Sequence, residues 1–201
     1  YLKVYGVLVG KKPLIFTNND SAYETAIEFK KNGINSIVLD SRKNPNSEII
    51  NDAKNLGIDI KFSHVVVSAN GYKKVKSAEI SKISDDKEEL GKVESILCDC
   101  ICVSGFWTPT IHLASQSGNK TQFNSKIDAF IPGKSKQNET TVGSANGLFS
   151  LEETLKDSFD VGYRLSRKIT NKDDKLKVPQ VSEKKSSKHD KFWCVPLPKG
   201  R

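Results

Sequence analysis

The chain has 201 residues, of which 36% are hydrophobic and 28% charged, and its formal net charge is +8. This length fits one domain, or one domain with a tail. No run approaches the ~20 continuous apolar residues of a membrane span. The first residues also lack the basic start and apolar block of a secretory signal. The composition therefore predicts no membrane partner.

The positive charge comes mainly from lysines spread along the chain, with a concentration after Tyr163. A basic balance is typical of nucleic-acid or membrane-surface binding, but aromatic residues do not interleave with these lysines. A solvated lysine-rich surface is the simpler interpretation, and it predicts no nucleic-acid partner. A basic nucleic-acid-binding protein stays as a third hypothesis, which a gel shift persisting at physiological salt would support.

Two further features of the composition bear on the cellular compartment of the protein and on whether the chain is a piece of a longer one. Cys98, Cys100 and Cys102 lie in one strand-like run, which is a poor disulfide framework and indicates a reducing, cytoplasmic location. The chain contains no methionine, so we expect it to be a piece of a longer protein.

The first elements have the βαβ layout of a dinucleotide site. The pattern predicts a buried strand at residues 13–17, a turn at 18–21, a helix closing at Gly33 and a second strand at 37–39. The motif G-x-G-x-x-G, whose backbone N–H groups approach a pyrophosphate, is absent from the turn. The unit is therefore predicted to keep the fold and to change the ligand.

The glycine-free turn has two interpretations. All four of its side chains can accept hydrogen bonds, so one of them is expected to cap the helix. Alternatively, they fill the space that a pyrophosphate would occupy. The four residues are Asn18, Asn19, Asp20 and Ser21. Asp20 would also repel a phosphate.

Asp40 ends the second strand about twenty residues past the turn, where an acid holds the ribose hydroxyls in working sites. A nearby Arg such as Arg42 would suit a 2′-phosphate. Without the glycines, this acid alone is weak evidence for a nucleotide.

In the second βα unit, a helix starting at 45–47 and stopping at Gly57 precedes a third strand at 58–62. After this strand, the spacing of apolar residues changes to the alternation of antiparallel strands. A hairpin is then predicted to turn at Asn70 and Gly71, the preferred type I′ pair, and further strands at 78–83 and 93–103. The predicted fold class is α/β: a Rossmann-like three-layer domain with a parallel sheet plus an antiparallel β-meander, as in the NAD domain of reductases.

The remainder of the chain is predicted as a polar loop at 119–133, the end of a short strand at 140–143 and a helix starting at Gly147. Residues 171–191 are rich in Lys, Ser and Asp and are predicted to be a linker. Trp193 and the apolar residues after it suggest an anchor.

The sequence nominates no catalytic residue and no metal site. On a regular strand the outer thiols of the cysteine run are ~13 Å apart, whereas sulfurs that share one zinc are at most ~4.6 Å apart. Free, buried cysteines are the better interpretation. The histidines are scattered, and neither a Ser-His-Asp order nor H-E-x-x-H is present.

Several segments, in the same order, resemble the α subunit of heterotetrameric sarcosine oxidase. They are residues 16–23 (FTNNDSAY), 103–109 (VSGFWTP), 112–118 (HLASQSG), 142–147 (VGSANG) and 149–151 (FSL). The resemblance covers most of the chain up to about Gly162. Residues 193–198 (WCVPLP) resemble the lead-in to that family's folate-binding domain.

The resemblance implies an oxidoreductase with four different subunits. That enzyme oxidises sarcosine to glycine, passes a one-carbon unit to tetrahydrofolate and reduces O₂ to hydrogen peroxide. It implies NAD in the full α subunit, tetrahydrofolate in a C-terminal domain outside this chain, the flavin on the β subunit, and the β, γ and δ subunits as partners. This chain would act as NAD-domain scaffold and subunit interface, with no chemistry and no bound cofactor of its own.

The resemblance also implies where a cofactor would be approached. Reductases carry a Gly-Asp pair at the place of Gly143 and Ser144, so that Ser144 replaces the acid. The implied cofactor-binding residues are Gly143, Ser144, Ala145, Asn146, Gly105 and Trp107. The last two lie in a crossover after a buried strand, which is either a hinge between two dinucleotide domains or a cover for the core.

The implied domain boundaries follow the same comparison. Residues 1–105 would form the degenerate dinucleotide-binding-like domain, and 106–163 a return segment of the first FAD/NAD-binding-like domain. Residues 164–192 would be the linker, and 193–201 the lead-in to the folate-binding domain.

The main alternative is a stand-alone nucleotide-binding module of a flavoprotein-reductase-like enzyme, favoured by Asp40 and the βαβ layout. A G-x-G-x-x-G motif upstream and a folate-binding domain downstream would favour the oxidase subunit. Micromolar affinity for NAD or NADP would favour the module.

Overall fold

The computed structural model describes residues 1–170, 177–182, 189–192 and 194–197. The chain divides into two compact units, one of Tyr1–Phe106 with Lys184–Arg201 and the other of Trp107–Glu183. Much of the predicted linker at 171–191, and the predicted anchor Trp193, lie outside the described residues.

The first unit alternates strands and helices and then continues with strands only. Its elements in chain order are α1 (Leu2–Tyr5), β1 (Pro13–Thr17), α2 (Ser21–Lys31), β2 (Ile37–Asp40), α3 (Glu48–Asn55), β3 (Asp59–Phe62), β4 (His64–Gly71), β5 (Val75–Ile83), β6 (Leu90–Leu97) and β7 (Cys100–Ser104). Strands β3, β2, β1 and β7 pair in that order, all parallel. Strands β4, β5 and β6 form an antiparallel sheet.

The parallel sheet is buried on both faces, as expected for a sheet covered by two layers. Because side chains alternate along a strand, Ile15 and Val38 pack with the helices α2 and α3. Leu14 and Leu39 point to the other face and pack with Ala78 and its neighbours in the antiparallel sheet. The predicted three-layer α/β fold class is confirmed.

The prediction of a single strand at 93–103 is wrong, because these residues are divided between the two sheets. Strand β6 ends at Leu97 and belongs to the antiparallel sheet, whereas β7 starts at Cys100 and pairs with β1. The Asp99 carboxylate fixes the break by accepting the backbone N–H groups of Lys11 and Lys12, each at 2.8 Å.

The predicted two-residue turn at Asn70 and Gly71 is also wrong. Both residues belong to β4, where Asn70 pairs with Ser77 and Gly71 with Val75, so that the loop is the three residues between the paired ends. The register shifts between Asn70 and Gly71, which is a bulge. Gly71 has φ +153°, and a Cβ there would lie 2.0 Å from the carbonyl oxygen of Lys74.

The second unit contains α4 (His112–Gln116), β8 (Thr121–Asn124), β9 (Ala129–Pro132), a 3₁₀ helix (Gly143–Asn146) and α5 (Leu151–Thr170). The loop predicted at 119–133 is instead an antiparallel hairpin of β8 and β9. The strand predicted to end at 140–143 is not a strand, since Gly143 begins the 3₁₀ helix. Helix α5 starts at Leu151 rather than near Gly147, and it continues beyond 164, where the linker was predicted to begin.

Aromatic side chains pack across the two strands of this hairpin. Phe123 and Phe130 are paired in the register, and their rings meet edge to face with centroids 5.3 Å apart. Over the part of the chain that the structure describes, no helix is both long enough and apolar enough to cross a membrane.

Candidate functional site

The carboxyl ends of β1, β2 and β7 meet at one edge of the parallel sheet. In open α/β sheets, ligands bind outside these ends, at the point where the strand order reverses. Here the order reverses between β1 and β7, since β2 and β3 follow on one side of β1 and β7 on the other. This edge is therefore the candidate functional site.

Side chains at the end of β1 and in the glycine-free turn bind the end of β7. Asn19 donates its amide N–H to the Ser104 carbonyl at 3.1 Å, and Thr17 donates its hydroxyl to the same carbonyl at 3.2 Å. The Ser21 and Ser104 hydroxyl oxygens are 3.2 Å apart. Polar side chains thus occupy the place where a glycine-rich turn leaves room for phosphate.

The first N–H of the helix is bonded by Asn19, the residue before the N-cap Asp20. Its amide oxygen accepts the backbone N–H of Ser21 at 3.0 Å and the Ser21 hydroxyl at 2.6 Å. Asp20 directly precedes the helix but makes no side-chain cap bond. Asn19 therefore both bonds the first helical N–H and fills the turn.

The Asp20 carboxylate is directed to a buried cation instead. The Arg42 guanidinium pairs with Asp20 at 2.8 Å and with Asp40 at 2.7 Å. Nε of Arg42 donates to both oxygens of Asp40, at 3.0 and 3.2 Å, and the backbone N–H of Arg42 donates at 3.0 Å. The side chain of Arg42 is 6% exposed, and that of Asp40 is fully buried.

Tyr23 completes this buried cluster from the first turn of α2. Its hydroxyl donates to Oδ2 of Asp40 at 2.7 Å, and the residue is 0% exposed. Sequence periodicity places Tyr23 in the core but gives no sign of its polar partner. The four residues Asp20, Tyr23, Asp40 and Arg42 are called the switch-point cluster below.

Burial and charge set the protonation states of this cluster. Burial first, and then the charge and hydrogen bond of Asp40, raise the pKa of Tyr23 well above its ordinary value. Burial lowers the pKa of Arg42, but its hydrogen bonds and charge interaction with Asp40, followed by those with Asp20, outweigh this effect and raise it. Tyr23 therefore stays a donor and Arg42 a cation over the ordinary pH range.

The two residues that the sequence suggested for nucleotide recognition, Asp40 and Arg42, are thus present at this edge, but they bind each other and their neighbours. Asp40 accepts hydrogen bonds from Tyr23 and Arg42 rather than facing solvent. Arg42 binds two carboxylates, a surrounding that disfavours a third anion such as a 2′-phosphate. The phosphate repulsion expected from Asp20 is offset by the same guanidinium.

A polar cleft of about 490 Å³ opens beside Arg42. Its lysines are already paired with carboxylates of the same wall, Lys43 with Asp85 and Lys87 with Asp190. Opposite charges therefore largely cancel along the lining. The arrangement offers no concentrated positive charge to a phosphate.

The residues implied as cofactor contacts are not brought together in one element. Gly105 directly follows β7 in the first unit, whereas Trp107 and Gly143–Asn146 belong to the second. Gly143 is buried at φ +63° and donates its N–H to Asp157 at 2.9 Å. Ser144 is exposed. Their role stays a prediction.

The cysteine run is placed differently from a regular strand. Cys98 is buried before β7, and Cys100 and Cys102 share one face of β7 with sulfurs 3.8 Å apart. Burial and the neighbouring Cys100 raise the pKa of the Cys102 thiol. Among the described residues, no group of three His, Cys, Asp or Glu side chains could hold a metal ion.

Comparison with known proteins identifies relatives of the chain. No family model matches it. Sarcosine oxidase subunit alpha of Corynebacterium sp. (strain P-1) is 27% identical over 198 residues, which are 98% of this chain and 20% of that subunit. The subunit of the same name from Rhizobium meliloti (strain 1021) is 31% identical over 147 residues, covering 72% of this chain and 14% of that subunit.

Solved structures support the fold. The HOCl-induced flavoprotein disulfide reductase RclA from Escherichia coli matches 78% of this chain and 36% of its own, with TM-score 0.55 and 13% identity. A complex of 2-naphthoyl-CoA reductase matches 78% of this chain and 21% of its own, with TM-score 0.53 and 19% identity.

The sequence and structural matches above each cover more than two thirds of this chain. The chain spans about a fifth or less of the length of the curated relatives it matches. It is thus related to one segment of the α subunit of sarcosine oxidase, an oxidoreductase, and has the α/β fold of the flavoprotein reductases.

Proposed function

We propose that the chain is the nucleotide-fold scaffold of a sarcosine oxidase α subunit and carries no catalytic residue of its own. The whole enzyme would oxidise sarcosine to glycine with tetrahydrofolate and O₂, giving hydrogen peroxide. The chain would contribute a folded framework and a surface toward the β, γ and δ subunits. Flavin and tetrahydrofolate would be bound elsewhere in the assembly.

One observation carries the scaffold role. The two groups that would recognise a nucleotide in this fold, Asp40 and Arg42, are buried and bonded to one another. Opening them to a ribose would break a buried ion pair, which costs about 3–5 kcal/mol when one partner is lost. The switch-point cluster therefore supports structural use of these residues.

NAD contact in the assembled subunit would lie at Gly143–Asn146, with Gly105 and Trp107 near the crossover. Ser144 is the exposed member of the 3₁₀ helix, and it stands at the position where reductases carry an acid. Because an uncharged hydroxyl does not repel phosphate, this position tolerates a dinucleotide better than an Asp would.

Isothermal titration calorimetry of the chain with NAD and with NADP tests the scaffold role. We expect no measurable binding of either dinucleotide, because the groups that would hold the ribose are engaged. Circular dichroism at the same concentration serves as the control that the chain is folded. Micromolar affinity for either dinucleotide would overturn the scaffold proposal and favour a stand-alone nucleotide-binding module.

A further inference from the structure

A short segment from far along the chain lies against the carboxyl edge of the parallel sheet. Residues 189–192, called the strap below, contact the glycine-free turn through a reciprocal pair of hydrogen bonds. The Asp190 N–H donates to the Asn18 carbonyl at 3.0 Å, and the Asn18 side-chain amide donates to the Asp190 carbonyl at 2.9 Å. The two residues are 172 positions apart in sequence.

Lys87 holds the strap from the second side. Its ammonium group pairs with the Asp190 carboxylate and donates to the Lys191 carbonyl at 3.0 Å. It also lies 6.0 Å from the ring centre of Phe192. One cation thus contacts three consecutive residues of the strap.

The backbone of Lys87 is itself unusual. Its φ is +63°, a conformation that side-chain-bearing residues adopt uncommonly. Its N–H donates to the Ser84 carbonyl at 3.0 Å, which closes the turn between β5 and β6. The left-handed conformation therefore occurs at the same residue as the three strap contacts.

Aromatic rings fix the two ends of the strap on either side of the strand-order reversal. His189 stacks on Phe106 with ring centres 3.6 Å apart and planes at 23°. Phe192 meets Phe16 of β1 edge to face, with centres 6.4 Å apart. Because Phe16 lies on β1 and Phe106 follows β7, the strap lies by the crevice where this fold class takes its ligand.

We propose that this edge of the sheet is a docking surface for the chain's own strap, with Lys87 as its anchor, and that the docked strap covers the strand-order reversal between β1 and β7. The inference goes beyond the scaffold role, since a scaffold would serve equally well with the strap undocked.

Amide hydrogen exchange of the whole chain, resolved at the Asp190 N–H, tests the proposal. The Lys87→Gly variant removes the ammonium group while keeping a residue suited to φ +63°, so the turn is retained. The Lys43→Ala variant is the matched control, since Lys43 pairs with the neighbouring exposed Asp85 and makes none of the strap contacts above.

In the unmodified chain, we expect the Asp190 amide to exchange at least about tenfold more slowly than in an unstructured peptide. Lys87→Gly should accelerate that exchange about tenfold, since it removes hydrogen bonds to a charged group. Lys43→Ala should leave the rate unchanged. Unprotected exchange in the unmodified chain, no effect of Lys87→Gly, or an equal effect of Lys43→Ala would each overturn the proposal.

Discussion

The hydroxyl of Tyr23 gives the most direct test of the switch-point cluster. Replacement of Tyr23 by Phe keeps the ring in the core and removes only the donor to Asp40. The lost bond is 2.7 Å long, and both residues are 0% exposed. A hydrogen bond to a buried charged group contributes about 1.5–3 kcal/mol, so we expect Tyr23→Phe to lower the free energy of unfolding by that amount at pH 7.

The pH dependence of this difference follows from the raised pKa of Tyr23. In the unfolded chain the phenol ionises near pH ~10, whereas in the folded chain it holds its proton to higher pH. The stabilisation is therefore fully present below pH ~10 and is lost as the pH rises above it. The difference between the unmodified chain and Tyr23→Phe should narrow by about 1.4 kcal/mol per pH unit in that range.

Urea unfolding followed by circular dichroism, repeated from pH 7 to 11, measures this difference. Other groups titrate in both proteins and cancel in the comparison. The Tyr72→Phe variant is the control, since Tyr72 is 94% exposed, and it should change stability by less than about 0.5 kcal/mol. A difference for Tyr23→Phe that stays constant from pH 8 to 11 would refute the reasoning.

Two further substitutions extend the test to the charges and to the core. Arg42→Ala leaves two buried carboxylates without their cation and should lower the free energy of unfolding in urea by about 3–5 kcal/mol. Lys43→Ala, at an exposed ion pair, should lower it by less than ~1 kcal/mol. Equal losses for the two variants would argue against a buried network. Ile50→Ala removes a fully buried side chain between α3 and the sheet and should cost about 2–5 kcal/mol, against less than ~0.5 kcal/mol for Ile169→Ala, which is 83% exposed. A small loss for Ile50→Ala would place that side chain outside the packed core.

The βαβ half of the first unit could be predicted closely from the sequence. Strands β1 and β2 are largely apolar, the helices α2 and α3 each have one apolar face, and a glycine lies two residues past the end of each helix. These local patterns are strong because the sheet is buried on both faces. Strand β1 and the helix from Ser21 accordingly lie where expected.

Elements that depend on distant partners could not be predicted in the same way. The β-favouring run near Cys98 changes sheets at Asp99, whose carboxylate binds backbone groups of Lys11 and Lys12. Strands β8 and β9 have only four residues each, and β8 is mostly exposed, so neither alternation nor a long apolar run marks them. Register in such short strands depends on the partner strand rather than on local pattern.

The candidate site shows the same limit. The spacing of Asp40 and Arg42 after the turn indicated a nucleotide-type edge, but not that these two residues bind each other. The strap contact between Asn18 and Asp190 joins positions with no local relation in sequence. Both features require the three-dimensional arrangement, because ion pairs and hydrogen bonds across an edge leave no periodic pattern.

The order of strands has a consequence for how the chain folds during synthesis. Strand β7 pairs directly with β1, although Ser104 follows Thr17 by 87 residues and the whole antiparallel sheet lies between them. At roughly 5–20 residues per second, a ribosome needs about 4–17 s to make that stretch. For this time the outer edge of β1 has no partner from its own chain. An open, apolar strand edge is a template for pairing with other molecules, so the nascent chain is most exposed to aggregation in this interval.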